Sequence, residues 1–298
     1  MSEIVVVGSV AIDSVESPFG KQEECFGGSA SYFSYAASFF TPVKLIAVVG
    51  EDFPHYFKTV LQERGIDLSG LEVQKGKTFR WKGKYEGDMN VAETLDTQLN
   101  VFQQFSPIIK LESCDYLFLA NIDPRLQLDV LGKLKIKRLV ASDTMNHWIR
   151  DKRDELMQVF EKVDMIVLND MEARLLTDEQ NLVKAIKKIS EYGPSKVVIK
   201  KGEHGSIAFY EGNIFTFPAY PLEEVYDPTG AGDSFAGSMI GYLAKQDNLN
   251  MNEFAKAIAY GTVVASFTVE RFSLERLREI STAVIEERLQ TFRKLTRF

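Results

Sequence analysis

The chain has 298 residues, 45% of them hydrophobic and 26% charged, enough to bury a sizeable core as one large α/β domain or two smaller ones. A formal net charge of −7 leaves no broad basic surface for a phosphate backbone and argues against a nucleic acid partner. Cys25 and Cys114, far apart and without a CxxC, argue against a disulfide framework or a cysteine zinc site; a start without a basic n-region, and no run of about 18 apolar residues, argue against a signal peptide or membrane span and make a reducing cytoplasm the expected location.

In chain order, the first short apolar run is IVVVGSV from Ile4, followed by VKLIAVVG from Val43, DYLFLAN from Asp115, KRLVASD from Lys137, DMIVLND from Asp164 and SKVVIKKG from Ser195. Each reads as a strand buried on both faces. Between them, FPHYFKTVLQERG after Phe53, HWIRDKRDELMQVFEKV after His147 and NLVKAIKKISEYG after Asn181 space their apolar residues three and four apart, as crossover helices do. This alternation predicts an α/β fold built on a parallel sheet. One region departs from it. Thr78 to Phe102 alternates at period two around Gly87 and Asp88 and reads as an antiparallel hairpin outside the parallel sheet, with the segment from Pro18 to Cys25 offering it a further strand. No linker, repeat or low-complexity tract interrupts the chain, so one domain over 1–298 is expected.

The stretch DPTGAGDSFAGSMIGYLA, Asp227 to Ala244, sets two carboxylates around a Gly-Ala-Gly turn that opens into an apolar helix. The first amides of such a helix lack intrahelical partners and point at one spot, which favours an anion. Gly230 and Gly232 let the backbone approach a phosphate, and Asp233 in the first turn lies within reach of a group attacking it. A carboxylate beside an anion hole is what a general base for phosphoryl transfer needs. The same residues also fit a capping acid and an ordinary turn.

DPTGAGDSF resembles the C-terminal signature of the ribokinase-like, or PfkB, family of carbohydrate kinases, and other family marks occur in order: Gly8-Ser9-Val10-Ala11-Ile12-Asp13, then Gly27-Gly28, then Asn169-Asp170-Met171-Glu172, then Lys201-Gly202-Glu203-His204-Gly205. Neither GxxxxGK[ST] nor a GxGxxG directly after the first strand is present. The resemblance implies a ribokinase-like three-layer sandwich, with a central mostly parallel sheet and a small β-strand lid inserted at about 14–26 and 76–102. It implies a kinase using ATP and Mg²⁺ to phosphorylate a hydroxyl of a small sugar or polyol. A nucleoside kinase is the alternative within the family, and a catalytically silent ligand-binding relative a more distant one. Family members often pair their lids, so a homodimer is expected.

Carried over residue by residue, the resemblance makes Asp233 the catalytic base and Gly230, Ala231 and Gly232 the anion hole. Asn169 and Glu172 match the NxxE motif that helps hold Mg²⁺ and phosphate oxygens, although an Asn cap with a first-turn Glu accounts for them equally. Asp13 matches the acid that binds acceptor hydroxyls, read here as lying at the end of a buried strand; a turn Asp is the other reading. Gly27 and Gly28 let the chain pass under the acceptor or simply start a helix. Asp143 and Asn146 resemble the DxN element of several members, or an Asx-type turn. Lys201, Gly202 and Gly205 match a loop along the nucleotide, with Thr229 assigned to the same ligand; Lys200 and Lys201 also read as solvated surface charge.

Two departures stand out. Sugar-specific members commonly carry an Asn after the GG pair where Tyr32 stands, which puts sugar recognition of that kind in doubt. The family often has a Gly-Ala loop for a monovalent cation, and VASFTVERFSLERL has no Gly. Phe79, Trp81 and Tyr85 alternate along the hairpin and are expected to share a face, for stacking on a ligand, for lid packing or for a subunit contact.

Overall fold

The computed structural model describes residues 2–87 and 89–296. The strands are β1 (Ile4–Val7), β2 (Ala11–Ser17), β3 (Gly20–Gly27), β4 (Val43–Gly50), β5 (Asp67–Gln74), β6 (Phe79–Tyr85), β7 (Ala92–Gln98), β8 (Ser113–Leu119), β9 (Lys135–Asp143), β10 (Met165–Asn169), β11 (Lys196–Lys200), β12 (Ser206–Tyr210) and β13 (Asn213–Phe217). The helices are α1 (Ser29–Ala37), α2 (His55–Glu63), α3 (Pro124–Lys133), α4 (Asn146–Asp151), α5 (Arg153–Phe160), α6 (Asp170–Thr177), α7 (Leu182–Glu191), α8 (Ala231–Gln246), α9 (Met251–Thr268), α10 (Glu275–Glu279) and α11 (Thr282–Leu295).

The large sheet runs β13-β12-β11-β10-β9-β8-β1-β4-β5 and is parallel from β11 to β5, with β12 and β13 added antiparallel at one edge. All four residues of β1 are fully buried, and their alternation explains how. Ile4 and Val6 pack with α1, α8 and α9, whereas Val5 and Val7 pack on the opposite face with residues of α3 and α5. Farther along that second face, β10 and β11 meet α6 and α7. Each such side chain gains about 1.5–3 kcal/mol over exposure, which is why these strands read as unbroken apolar runs. The result is the three-layer α/β sandwich expected. Parallel strands β9, β10 and β11 end at Asp143, Asn169 and Lys200, so these residues emerge at the same edge of the sheet, where ligands of open α/β folds bind. No helix among the described residues is long and apolar enough to cross a membrane.

The second sheet, β3-β2-β6-β7, contains the hairpin, with Arg80 opposite Gln98 and Tyr85 opposite Ala92. Gly87 takes φ +62° at its turn; Asp88 lies outside the described residues. β2 runs between β3 and β6, and Asp13 is in register with both Cys25 and Trp81. Asp13 therefore sits inside a lid strand that starts at Ala11, not at the end of the buried first strand. The chain leaves the large sheet at Gly8, where a Cβ would lie 2.6 Å from Ala120 and 2.9 Å from Ala30, and resumes extended structure three residues later.

Other differences from the sequence reading have local causes. β5, β12 and β13 are strands at or next to the edges of the sheet, where fewer neighbours demand apolar residues, and the periodicity did not reveal them. The helix after His147 is two helices, because Lys152 (φ −136°, ψ 35°) leaves helical geometry between α4 and α5. Phe79 stacks on Phe102 at 5.4 Å, while Trp81 and Tyr85 pack with Val15 and Cys25, so the aromatic stripe divides between two clusters.

Candidate active site

The loop into α8 is built around Asp227, which is fully buried. Its Oδ1 accepts the Thr229 amide at 2.9 Å, an Asx-type turn, and its Oδ2 accepts the Ser273 amide at 3.1 Å, which ties the loop to the segment after α9. Gly230 follows in the left-handed region (φ 75°, ψ 0°) and serves as N-cap of α8 without a side-chain bond. Only glycine fits there: the conformation disfavours other residues, and a Cβ would collide with the Tyr32 ring. The Ala231 amide turns back to the Pro228 carbonyl at 3.1 Å. Gly232 and Asp233, next in line, have no carbonyl four residues back within the helix, so their amides open outward beside the Asp233 carboxyl.

Around this helix start the sheet edge gathers three further ionisable groups. Asp143 accepts the Thr144 amide at 2.7 Å and lies 3.7 Å from the Lys200 ammonium. Lys200 reaches over Gly232, where a Cβ would be 2.7 Å from Nζ. Glu172 and Asn169 form a reciprocal capping box on α6, with Asn169 N to Glu172 Oε2 at 2.7 Å and Glu172 N to Asn169 Oδ1 at 2.8 Å. The structural reading of the NxxE pair is thus realised, and it occupies Asn169 Oδ1 and one Glu172 oxygen.

Electrostatics follow from crowding carboxylates in a dry place. Burial, then the Asp143 charge, pushes the Asp233 carboxyl well above the usual range, against the pull of Lys200. The same two causes raise Glu172 to about 8. Burial works against the Lys200 charge, but Asp143, Glu172 and Asp233 outweigh it and keep the ammonium above its ordinary value. Asp13 rises to about 7, first by burial, partly offset by the Gly28 amide and reinforced by Asp227.

Asp13 is 4% exposed, and its carboxylate fills the space that a side chain on Gly27 would need. Gly28 (φ +94°) starts α1 against the backbone of Ser9, Val10 and Ala11, so both glycines serve close approach beside Asp13. On the same inner face of the lid, the Trp81 indole lies over Gly83 and donates Nε1–H to Thr94 Oγ1 at 3.2 Å. Thr229 meets the lid as well, its hydroxyl 3.2 Å from that of Tyr85. Asn90, at the lid tip, occupies the space above Gly202.

Several sequence candidates fall elsewhere. Tyr32 is 1% exposed with its ring under Gly230; it supports the turn and offers no surface to an acceptor. Gly205 (φ +78°) packs against the Phe217 and Pro218 backbone and accepts the Lys201 amide at 2.7 Å, so these two residues close the β11–β12 turn. Asn146 opens α4, and its Oδ1 is buried without a partner among the described residues. Two residues were missed. Lys200 was set aside as surface charge, yet strand alternation places it on the face of Val198, the face that α8 covers. Tyr85 was read only as part of a stripe, and no sequence signal points it at Thr229.

A sequence model described as pfkB family carbohydrate kinase matches residues 1–279. A cytidine kinase of Thermococcus kodakarensis is 32% identical over 252 residues, covering 82% of this chain and 88% of that protein. A nucleoside kinase of Thermoplasma acidophilum is 25% identical over 254 residues, covering 84% and 81%. The crystal structure of the Methanocaldococcus jannaschii nucleoside kinase, an archaeal member of the ribokinase family, superposes with a TM-score of 0.79 over 98% of this chain and 99% of that one; at 20% identity this likeness concerns the fold.

Proposed function

The chain belongs to the pfkB family of carbohydrate kinases, and from that premise we propose that it phosphorylates a hydroxyl of a ribose-bearing nucleoside with the γ-phosphoryl group of ATP. It is a phosphotransferase with an alcohol group as acceptor, like the kinases of its family. The observation that carries the nucleoside reading is the register of Asp13 with Trp81 on the inner face of the lid. A buried carboxylate accepts two hydroxyl hydrogen bonds and suits the diol of a ribose, and an indole beside it suits the base attached to that ribose. The relatives named cytidine kinase and nucleoside kinase agree with it. A free sugar or polyol is the second reading, favoured by the packing of Trp81 on Gly83 and Val15, which gives the indole a structural use without any base.

In this reading Asp233 takes the proton of the attacking hydroxyl. Its raised pKa makes it a stronger base than an exposed carboxylate, and the nearby ammonium of Lys200 favours its ionised form. The acceptor oxygen bonds to the γ-phosphorus, the bond from that phosphorus to the bridging oxygen breaks, and the electron pair leaves with ADP. Gly230, Ala231 and Gly232 form the turn, and the outward amides of Gly232 and Asp233 steady the charge on the transferring group. Asp13, Gly27 and Gly28 hold the acceptor; Gly202 and Thr229 line the nucleotide side, with Asp143 and Asn146 between the two.

A magnesium ion fits this edge in a limited way. Among the described residues no three His, Cys, Asp or Glu side chains converge tightly enough to hold a metal by themselves. Glu172 keeps one carboxylate oxygen free of its capping box and is the residue that would hold the ion, through water, next to phosphate oxygens, with Asn169 orienting it. When bound, the ion offsets phosphate charge. The lid edge at β7, with Val91, Leu95 and Leu99 exposed, is the surface through which a homodimer would pair.

The test is a panel of nucleosides, pentoses, hexoses and polyols with ATP and Mg²⁺, read by ADP release. A nucleoside is expected to exceed the best free sugar at least about tenfold in kcat/KM. A free sugar that wins removes the nucleoside reading and leaves the kinase.

A further inference from the structure

Lys200 stands where the anion hole, the sheet edge and the carboxylates meet. It closes β11 opposite Asn169 of β10 and Ser206 of β12. Its side chain is 18% exposed, and Nζ lies 2.7 Å from the position of a Cβ on Gly232, at the start of α8. The ion pair with Asp143 Oδ2, at 3.7 Å, is too long for a hydrogen bond, and the ammonium makes no hydrogen bond with a described residue. Its donors are thus open to a ligand that reaches this edge, while the surrounding carboxylates keep the ammonium charged.

These donors sit on the same side of Gly232 as the outward amides of the helix start. An acceptor reaching them must itself approach the amides of Gly232 and Asp233, and must be an anion rich in oxygen to satisfy both. Asp143 pairs with the ammonium from one side, while Gly232 keeps the path clear, since any side chain there would fill the space that Nζ occupies.

We propose that Lys200 binds the phosphoryl group in flight: its ammonium contacts the γ-phosphate oxygens of the donor over Gly232 and stays on that group as it passes to the acceptor. This rests on the kinase reading above. The bonds made and broken are those already given, the hydroxyl proton goes to Asp233, and Lys200 keeps its own proton throughout. Its part is to offset charge on the moving oxygens, which a balancing charge that never touches the nucleotide would not do selectively.

That selectivity is the test. ATP and ADP differ by the group Lys200 is proposed to touch, so calorimetric titration of wild type and Lys200→Gln with each nucleotide, without acceptor, separates contact from general charge balance. The variant is expected to bind ADP within about threefold of wild type, to lose ATP affinity at least about tenfold, and to drop kcat by on the order of 10²-fold. Equal losses for both nucleotides, or no loss, overturn the proposal. A second measurement needs no variant: reductive methylation of wild-type Lys200, followed by mass spectrometry, should be blocked by a non-hydrolysable ATP analogue and not by ADP, and equal labelling in both overturns it. If wild type binds neither nucleotide, the kinase reading falls and this inference with it; if wild type binds and phosphorylates while the ATP and ADP losses match, only the inference falls.

Discussion

The Thr229 hydroxyl lies 3.2 Å from the Tyr85 hydroxyl, so a strand of the lid is joined to the loop that opens α8 by one hydrogen bond between side chains. Tyr85 is 7% exposed and packs with Val15 and Cys25, which fixes its ring; the hydroxyl is the part that spans the two bodies. Replacing Tyr85 with Phe keeps the ring and removes the bridge. The expected result is a loss of about 1 kcal/mol, read as a several-fold fall in kcat/KM for the acceptor, with thermal unfolding showing the fold intact. Unchanged kinetics would mean that the bridge does not help the lid to close.

Asp233→Asn tests the base. The amide has nearly the same shape, cannot take a proton, and needs no ionisation in a crowded carboxylate cluster, so the folded state should be as stable as wild type or more so. ATP binding should persist while kcat falls by a factor on the order of 10² or more. Turnover near the wild-type rate would remove Asp233 from the mechanism.

Glu172→Gln separates two uses of one side chain. Gln still offers an oxygen to the Asn169 amide, so the capping box and the melting temperature should hold. The lost charge should raise the Mg²⁺ concentration for half-maximal rate several-fold. If the Mg²⁺ titration is identical to wild type, capping is all that Glu172 does.

Which of these relations were legible in the sequence follows from how local each is. β1, β4, β8, β9, β10 and β11 announced themselves because burial on both faces leaves an apolar run. The Asp227 to Asp233 turn was legible because glycine at 230 and the Asx bond from Asp227 to Thr229 are encoded within a few residues. Lys200 was not, since a lysine at a strand end looks solvated until α8 is laid across it. Tyr32 was misread for the same reason: its burial depends on Gly230, almost two hundred residues away, arriving over its ring. Asp13 was assigned to the wrong strand because a three-residue break from Gly8 to Val10 separates two sheets without changing the apolar pattern.

Asp13 gives a pH dependence with a definite sign. Its carboxyl titrates at about 7 in the folded protein against 3.8 for the free group, chiefly because burial disfavours the charge. Between those values the unfolded chain has released the proton and the folded chain has kept it, so stability from this group is full below about pH 4 and is lost as the pH rises through 7. Asp13→Asn removes the dependence, so the difference in unfolding free energy between variant and wild type should grow in favour of the variant from pH 4 to 8, by about 4 kcal/mol at most. Chemical denaturation at several pH values measures it. A constant difference across the range would show that Asp13 is not protonated in the folded protein near neutrality.

Trp81 decides between acceptors. Its indole lies in register with Asp13 and over Gly83, with Nε1–H given to Thr94, so its position is set before any ligand arrives. A preset aromatic face costs little to stack against, and stacking of a base on it would be worth about 1–3 kcal/mol. Trp81→Ala should then raise KM for a nucleoside by roughly tenfold or more while leaving KM for a free sugar, measured on the same preparation, within about twofold. Equal increases for both would make Trp81 a sugar-stacking or purely packing residue and would sink the nucleobase role. Light scattering adds an independent readout: the exposed Leu95 lies on β7 at the lid edge, with Val91 and Leu99 exposed just beyond its two ends, so if the lid pairs through that edge, Trp81→Ala should leave the mass of the dimer unchanged and Leu95→Glu should shift it toward monomer. A monomeric wild type would remove the pairing while leaving the acceptor kinetics to judge Trp81 alone.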